Sequence, residues 1–201
     1  MNVLLEYGPC ILSMAKIQRM PLVRINRREA FQKGTGRNRM TIAGSQGASL
    51  LSIPILGGRS HHQTYGETPI DHRLPWRRRH FGALRSNYGK APYWEHYADG
   101  LAELYNKEYQ WLFDWNLYVL RYLLAWLAPN TSITETDEPA QSRFDEKQTA
   151  RQPTPTPLPY YHQVFAEKTG FLPNLSVLDL LLNVGHPQAR QYLENTAAHC
   201  L

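Results

Sequence analysis

The sequence predicts a mixed fold, α/β or α+β, with a small mixed sheet from the N-terminal half covered by helices from the middle and C-terminal parts. Three observations carry this. Short runs rich in Val, Ile, Leu and Thr, broken by Gly-containing turns, fill the stretch up to Leu56. From Pro75 onward, apolar residues recur at helical spacing. The 201 residues are 42% hydrophobic and 11% aromatic, enough to bury one core, which excludes a disordered chain and suits a single domain over 1–201.

The elements follow in order. Val3 to Leu5 is a short apolar run closed by Tyr7-Gly8-Pro9-Cys10, a turn. Ile11 to Met20 reads as a helix, because Ile11, Leu12, Met14 and Ile17 fall on neighbouring turns. Leu22 to Asn26 alternates as a strand does, with Val23 and Ile25 apolar and Arg24 and Asn26 polar. Strand, helix and strand at this spacing allow a βαβ-like unit. Met40–Ala43 and Leu50–Leu56 are further strands, joined through Gly44-Ser45-Gln46-Gly47, which has hairpin chemistry. Residues 57–73 are polar and rich in Gly, His and Thr, and read as a long loop.

Pro75 to Asn87 opens the helical part, with Pro at the first turn. Ala98–Glu108 and Tyr109–Leu127 follow as two helices or as one bent helix, the second part apolar over most of its surface and so buried. Residues 130–159 turn polar and proline-rich, ending in Pro153-Thr154-Pro155-Thr156-Pro157, and read as a surface excursion within the domain. A helix over Val177–Asn183 begins with a capping-box pattern, Ser176 and Asp179. Gly185 ends it and Pro187 opens a last helix.

Charge is uneven. The net is +5 overall, but residues 1–100 carry +9 and residues 101–201 carry −4, so one part of the surface attracts anions by its field. The longest apolar stretch, Leu117 to Ala128, is interrupted by Arg121 and falls short of the about 20 residues of a membrane span. No basic-then-apolar leader opens the chain, so no secretory signal peptide is expected. Cys10 and Cys200 provide neither a disulfide framework nor a multi-cysteine metal site, in keeping with reduced thiols and a cytoplasmic protein.

Several residues are suited to chemistry. Lys33-Gly34-Thr35-Gly36-Arg37-Asn38-Arg39 combines two flexible glycines with three cations and an amide, a pattern for an anion nest or for a plain basic hairpin. Its order is not that of a P-loop. Trp76 and His80 lie one helical turn apart, so His80 is either a general acid or base or a packed core histidine. Arg77, Arg78 and Arg79 suit a phosphate backbone or a solvated face. His61-His62 and His72 converge poorly for a metal, and no metal or cofactor is expected. Cys10, after Gly8-Pro9, stands where a helix N-terminus would lower a thiol pKa. Asp179 and Asn183 on one apolar helix either cap its two ends or, with Asp114 and Asn116 on another, need buried partners, which the 33–39 loop could supply.

One set of segments resembles a known family. Gln32-Lys33 with Arg37-Asn38-Arg39, Trp76 with His80, Tyr88 before Ala91-Pro92-Tyr93, and Leu112-Phe113-Asp114-Trp115-Asn116 come first. Tyr160-Tyr161-His162-Gln163-Val164-Phe165 then runs into Gly170 to Gly185. Together they are similar to the WbqC-like protein family of bacteria. Thr35-Gly36 stands where the family often has a Thr-Tyr pair. The resemblance implies a cytoplasmic transferase of surface-polysaccharide (O-antigen) biosynthesis, acting on an anionic activated small molecule such as a nucleotide sugar, a uronic acid or an acyl or aminoacyl donor. In that reading Lys33, Arg37 and Arg39 hold a phosphate or carboxylate and Asn38 orients it. His80 is the base, and Trp76, Tyr88 and Gln163 touch substrate. The alternatives are a nucleic-acid module using the basic half, which lacks a recognised motif, and an interaction protein using the proline-rich segment.

Overall fold

The computed structural model describes residues 3–57, 63–137 and 157–200. His61-His62 and residues 138–156, with most of the Pro-Thr segment, lie outside them. The fold is mixed α/β: among the described residues, six helices accompany two pairs of strands. Helix α1 is Ile11–Gln18, and strand β1 is Leu22–Asn26. Strands β2 (Arg39–Gly44) and β3 (Gly47–Ser52) form the expected hairpin, antiparallel with Gly44 opposite Gly47. Gly47 turns at φ +108°, a left-handed value that a side chain disfavours.

The second strand pair differs from the expected βαβ unit. Val3–Leu5 is not a strand, although the Val3 amide donates to the Arg24 carbonyl. The parallel partner of β1 is β4, Ser132–Thr136, which returns after three helices. Ser132-Ile-Thr-Glu-Thr136 has one apolar side chain and lies inside the proposed 130–159 excursion, so hydropathy did not mark it. Backbone pairing with β1 makes it a strand. Part of residues 57–73 is also more ordered than a polar loop: Tyr65–Glu67 forms a 3₁₀ turn that buries Tyr65.

Helix α2 is Trp76–Tyr88, with Trp76, His80, Leu84 and Tyr88 spaced by four and all buried. Helix α3 is Trp94–Asn106 and starts four residues before the expected Ala98. Helix α4, Leu112–Leu127, is buried over most of its length. Short α5 spans Ala166–Thr169, and α6 spans Val177–Cys200. The Ser176 hydroxyl caps α6 by accepting from the Leu178 amide. As the sequence predicts, Gly185 interrupts α6 just before Pro187, with φ +76° and ψ +165°.

That backbone region is nearly closed to any residue but glycine. A Cβ at 185 would also lie 2.6 Å from Cε1 of Tyr93. Gly185→Ala is therefore expected to cost at least about 2 kcal/mol, the sum of backbone strain and displacement of the ring, measured as a lower urea midpoint with unchanged slope.

Candidate functional site

The residues singled out by sequence enter three separate buried networks. The first begins at the 33–39 loop. The Tyr7 amide donates to the Gly36 carbonyl, which lays this loop over the segment before α1. Arg37 points inward and is 2% exposed. Its guanidinium donates to the Ala30 carbonyl at 3.0 Å and to the Glu29 carboxylate at 2.8 Å, and it lies 5.3 Å from the centre of the Tyr65 ring. Asn38 is buried, donates to the Ile53 carbonyl and accepts from the Gly34 amide. Asn116 of α4 donates to the Arg37 carbonyl and to the Tyr65 hydroxyl, so the loop does supply a partner for it. Lys33 and Arg39 remain exposed at the rim.

The second network holds His80. Its Nδ1 lies 2.8 Å from the Tyr7 hydroxyl, which lies 2.6 Å from the Tyr105 hydroxyl. Trp76 packs edge-on against His80. Burial pulls the imidazole pKa down to about 4, although a hydrogen bond to the Ser52 backbone opposes this, so His80 is neutral at pH 7.

The third network centres on Asp179 in α6. Its carboxylate accepts from Tyr88 at 2.7 Å, from Tyr161 at 2.6 Å and from Gln163 at 2.9 Å. Tyr88 also accepts from the Ala43 amide, and Gln163 is bonded to both backbone groups of Leu172. Tyr88 and Gln163 thus tie α2, β2 and the 160–172 segment to α6. The partners of Asp179 come from these elements and not from the 33–39 loop.

Sequence reasoning missed the group under the 33–39 loop. Glu6 immediately precedes Tyr7, and a Cβ built at Gly36 would lie 2.5 Å from its Oε1, so the carboxyl lies directly beneath this glycine. Glu6 is partly exposed, yet its Oε2 is enclosed and has no hydrogen-bond partner. Burial raises its pKa from 4.5 to about 7, with Ser13, Lys16, Arg37 and the Cys10 amide pulling the other way. Cys10, Ser13 and Lys16 follow at three-residue spacing, one side of α1, and all are half-buried. The Cys10 thiol lies 3.3 Å from the Ser13 hydroxyl. Burial, together with the charge of Glu6, pushes this thiol up to about 11, so the helix-terminus thiolate that its position suggested does not form at pH 7. Asn174, with φ +54°, accepts from the Leu12 amide and closes the site from the α6 side. The signal available in the sequence was Glu6-x-x-x-Cys10-x-x-Ser13-x-x-Lys16, which lacks the signature of any one chemistry.

What this arrangement offers is a carboxyl that exchanges its proton near neutral pH, beneath a loop edged by cations. Among the described residues, no group of three His, Cys, Asp or Glu is placed to hold a metal ion, and no helix is long and apolar enough to cross a membrane.

Comparison with known proteins agrees with the resemblance read from the residues. The uncharacterized protein Rv1507c of Mycobacterium tuberculosis (strain ATCC 25618 / H37Rv) is 36% identical over 78 residues. That stretch is 39% of this chain and 33% of that protein, so the chain covers well under two thirds of the relative's length. No solved structure matches. The WbqC-like protein family matches residues 6–152, a span that starts at Glu6, takes in the 33–39 loop and α2 to α4, and ends before Tyr160–Gly185. With Glu6, its covering loop and the helices that support them all inside the matched span, the chain belongs to the WbqC-like protein family.

Proposed function

We propose that this chain is a small-molecule transferase of surface-polysaccharide biosynthesis, acting on an anionic activated donor at the Glu6 site. The observation that carries the reading is Glu6 itself, a half-buried residue whose carboxyl has an enclosed, unpartnered oxygen, lies under Gly36 and has its pKa raised by burial to about 7. A general base works best with a pKa near the working pH. Glu6 takes the proton from an acceptor hydroxyl or amine. The acceptor's electron pair forms the bond to the donor's electrophilic carbon, and the bond from that carbon to the leaving group breaks. The leaving group departs with its electron pair, and its negative charge is met by the rim cations Lys33 and Arg39. Placing fixed positive charge where negative charge develops is usually the largest catalytic effect.

The other residues named from sequence fit this reading in supporting roles. Arg37 and Asn38 fix the loop that carries Lys33 and Arg39. His80, neutral and held beside Tyr7, fixes the segment that carries Glu6. The base in this proposal is therefore Glu6 in place of His80. Tyr88 and Gln163 hold the α6 side through Asp179.

The test is thermal shift of the wild-type protein against nucleotide sugars, uronic acids and acyl thioesters. A ligand that binds the folded state at 100 times its Kd stabilises it by about 2.7 kcal/mol. The expected result is a shift with one donor class that is lost in the Lys33→Ala/Arg39→Ala double variant. No shift with any class, or an equal shift in the variant, overturns the proposal.

A further inference from the structure

The start of α2 carries a second feature that the Glu6 reading does not use. A cavity of about 490 Å³ opens there, lined by His72, Leu74, Trp76, Arg78, Phe81 and Tyr105 among others. Small-molecule pockets typically measure about 300–1,000 Å³. Its floor is a packed aromatic group: Phe81 lies 6.2 Å from Tyr105, ring centre to ring centre, and Trp76 lies 6.5 Å from Tyr105. Leu74 is 46% exposed at this place.

The electrostatics are lopsided. The first turn of α2 reads Trp76-Arg77-Arg78-Arg79, contains no acid, and has no side-chain cap at Pro75. A helix N-terminus favours negative charge, so cations there are unfavourable unless an anion meets them. Arg77 is met by Glu108 at 2.9 Å, and Asp71 is occupied by Arg73. Arg78 is exposed and has no ion pair or hydrogen bond among the described residues. Trp76 is 3% exposed, and its Nε1–H has no acceptor.

We propose that this cavity binds a small molecule joining a flat aromatic ring to one anionic group. The ring packs against Leu74 and Phe81 at the mouth of the cavity, over the buried Trp76 and Tyr105, and the anion meets Arg78 and the uncapped first turn of α2. A phosphate on a nucleobase-bearing molecule and a carboxylate on a benzene ring share this chemistry. The site is independent of Glu6, so the donor shifts proposed above are compared in an Arg78→Ala background, and the test of this cavity does not read turnover.

The test uses the ¹⁵N-labelled full chain, whose five tryptophans give separate indole N–H resonances. Trp76→Phe assigns its own peak by removing it. Uridine monophosphate, benzoate, uridine and inorganic phosphate are then titrated separately. The expected result is a saturable shift of the Trp76 peak by uridine monophosphate or benzoate, with uridine and phosphate at least tenfold weaker. The tighter of the first two identifies the anion. Arg78→Ala, an exposed change that leaves the fold intact, weakens that binding at least tenfold. Should Trp76→Phe not fold, this second variant carries the test by comparing the saturable indole shift with and without Arg78. The proposal is overturned if neither ring-bearing anion moves an indole peak, if uridine or phosphate alone binds as well, or if Arg78→Ala binds as tightly as wild type.

Discussion

Asp179→Ala is expected to destabilise the protein by about 3 kcal/mol or more, the largest stability effect of any single change in the α6 network. The carboxylate is the shared acceptor of Tyr88, Tyr161 and Gln163, all buried. Removing it strands three donors at once, and each stranded buried donor costs about 1–3 kcal/mol when nothing replaces its partner. The costs do not add in full, because Gln163 retains the Leu172 carbonyl. Tyr161→Phe removes one donor to Asp179 and should cost about 1 kcal/mol, whereas Tyr88→Phe also strands the Ala43 amide and should cost about 1–3 kcal/mol. Burial raises the Asp179 pKa above 3.8, while its three donors pull it back. Equilibrium urea unfolding at pH 7 checks the prediction. A loss in Asp179→Ala no greater than that in Tyr161→Phe would contradict the account of this network.

Glu6→Gln is expected to separate activity from stability. As the removal of a general base, it should lower kcat by about 10²–10⁴-fold once the donor is known. The same change should stabilise the protein at alkaline pH. The folded-state pKa of Glu6 is raised, from 4.5 to about 7, so the folded protein holds this proton more tightly than the unfolded chain. The associated stability is complete below pH 4.5 and is lost as pH rises through about 7. Partial exposure of Glu6 tempers the size, giving about 1–3 kcal/mol between pH 4.5 and pH 8. Gln carries no such proton, so its stability lacks this slope and exceeds that of wild type at pH 8. A variant that is more stable and less active marks a residue kept for function rather than for folding. Unfolding curves across this pH range, with rates measured on the same samples, check both halves.

Much of the fold was legible because hydrophobic period decides it locally. Trp76, His80, Leu84 and Tyr88 recur every fourth residue, and Leu22–Asn26 alternates, so α2 and β1 follow from spacing. Gly185 and Pro187 gave the break in α6 through backbone sterics alone. β4 was not legible, since its pairing with β1 spans more than a hundred residues of sequence and Ile133 is its one apolar side chain. Tyr65 was read as part of a polar loop because its neighbours are polar, yet Phe113 and Arg37 enclose it from distant parts of the chain.

The site divided along the same line. Sequence placed cations at 33–39 but not their direction: Glu29 and Tyr65 draw Arg37 inward, whereas Arg39 stays outside. Gln163 and Tyr88 were singled out, while the carboxylate they share, Asp179, was read as a helix cap. Glu6 escaped notice because a lone Glu after an apolar run looks like ordinary surface. Only tertiary placement under Gly36 and beside α1 encloses it.

The most direct measurement is an NMR titration of the side-chain carboxyl carbons in ¹³C-glutamate-labelled protein, with Glu6→Gln to assign the resonance. The account predicts a midpoint for Glu6 about 7. A midpoint at the ordinary value of 4.5 would mean an open, solvated carboxylate, and the account of this site would be wrong.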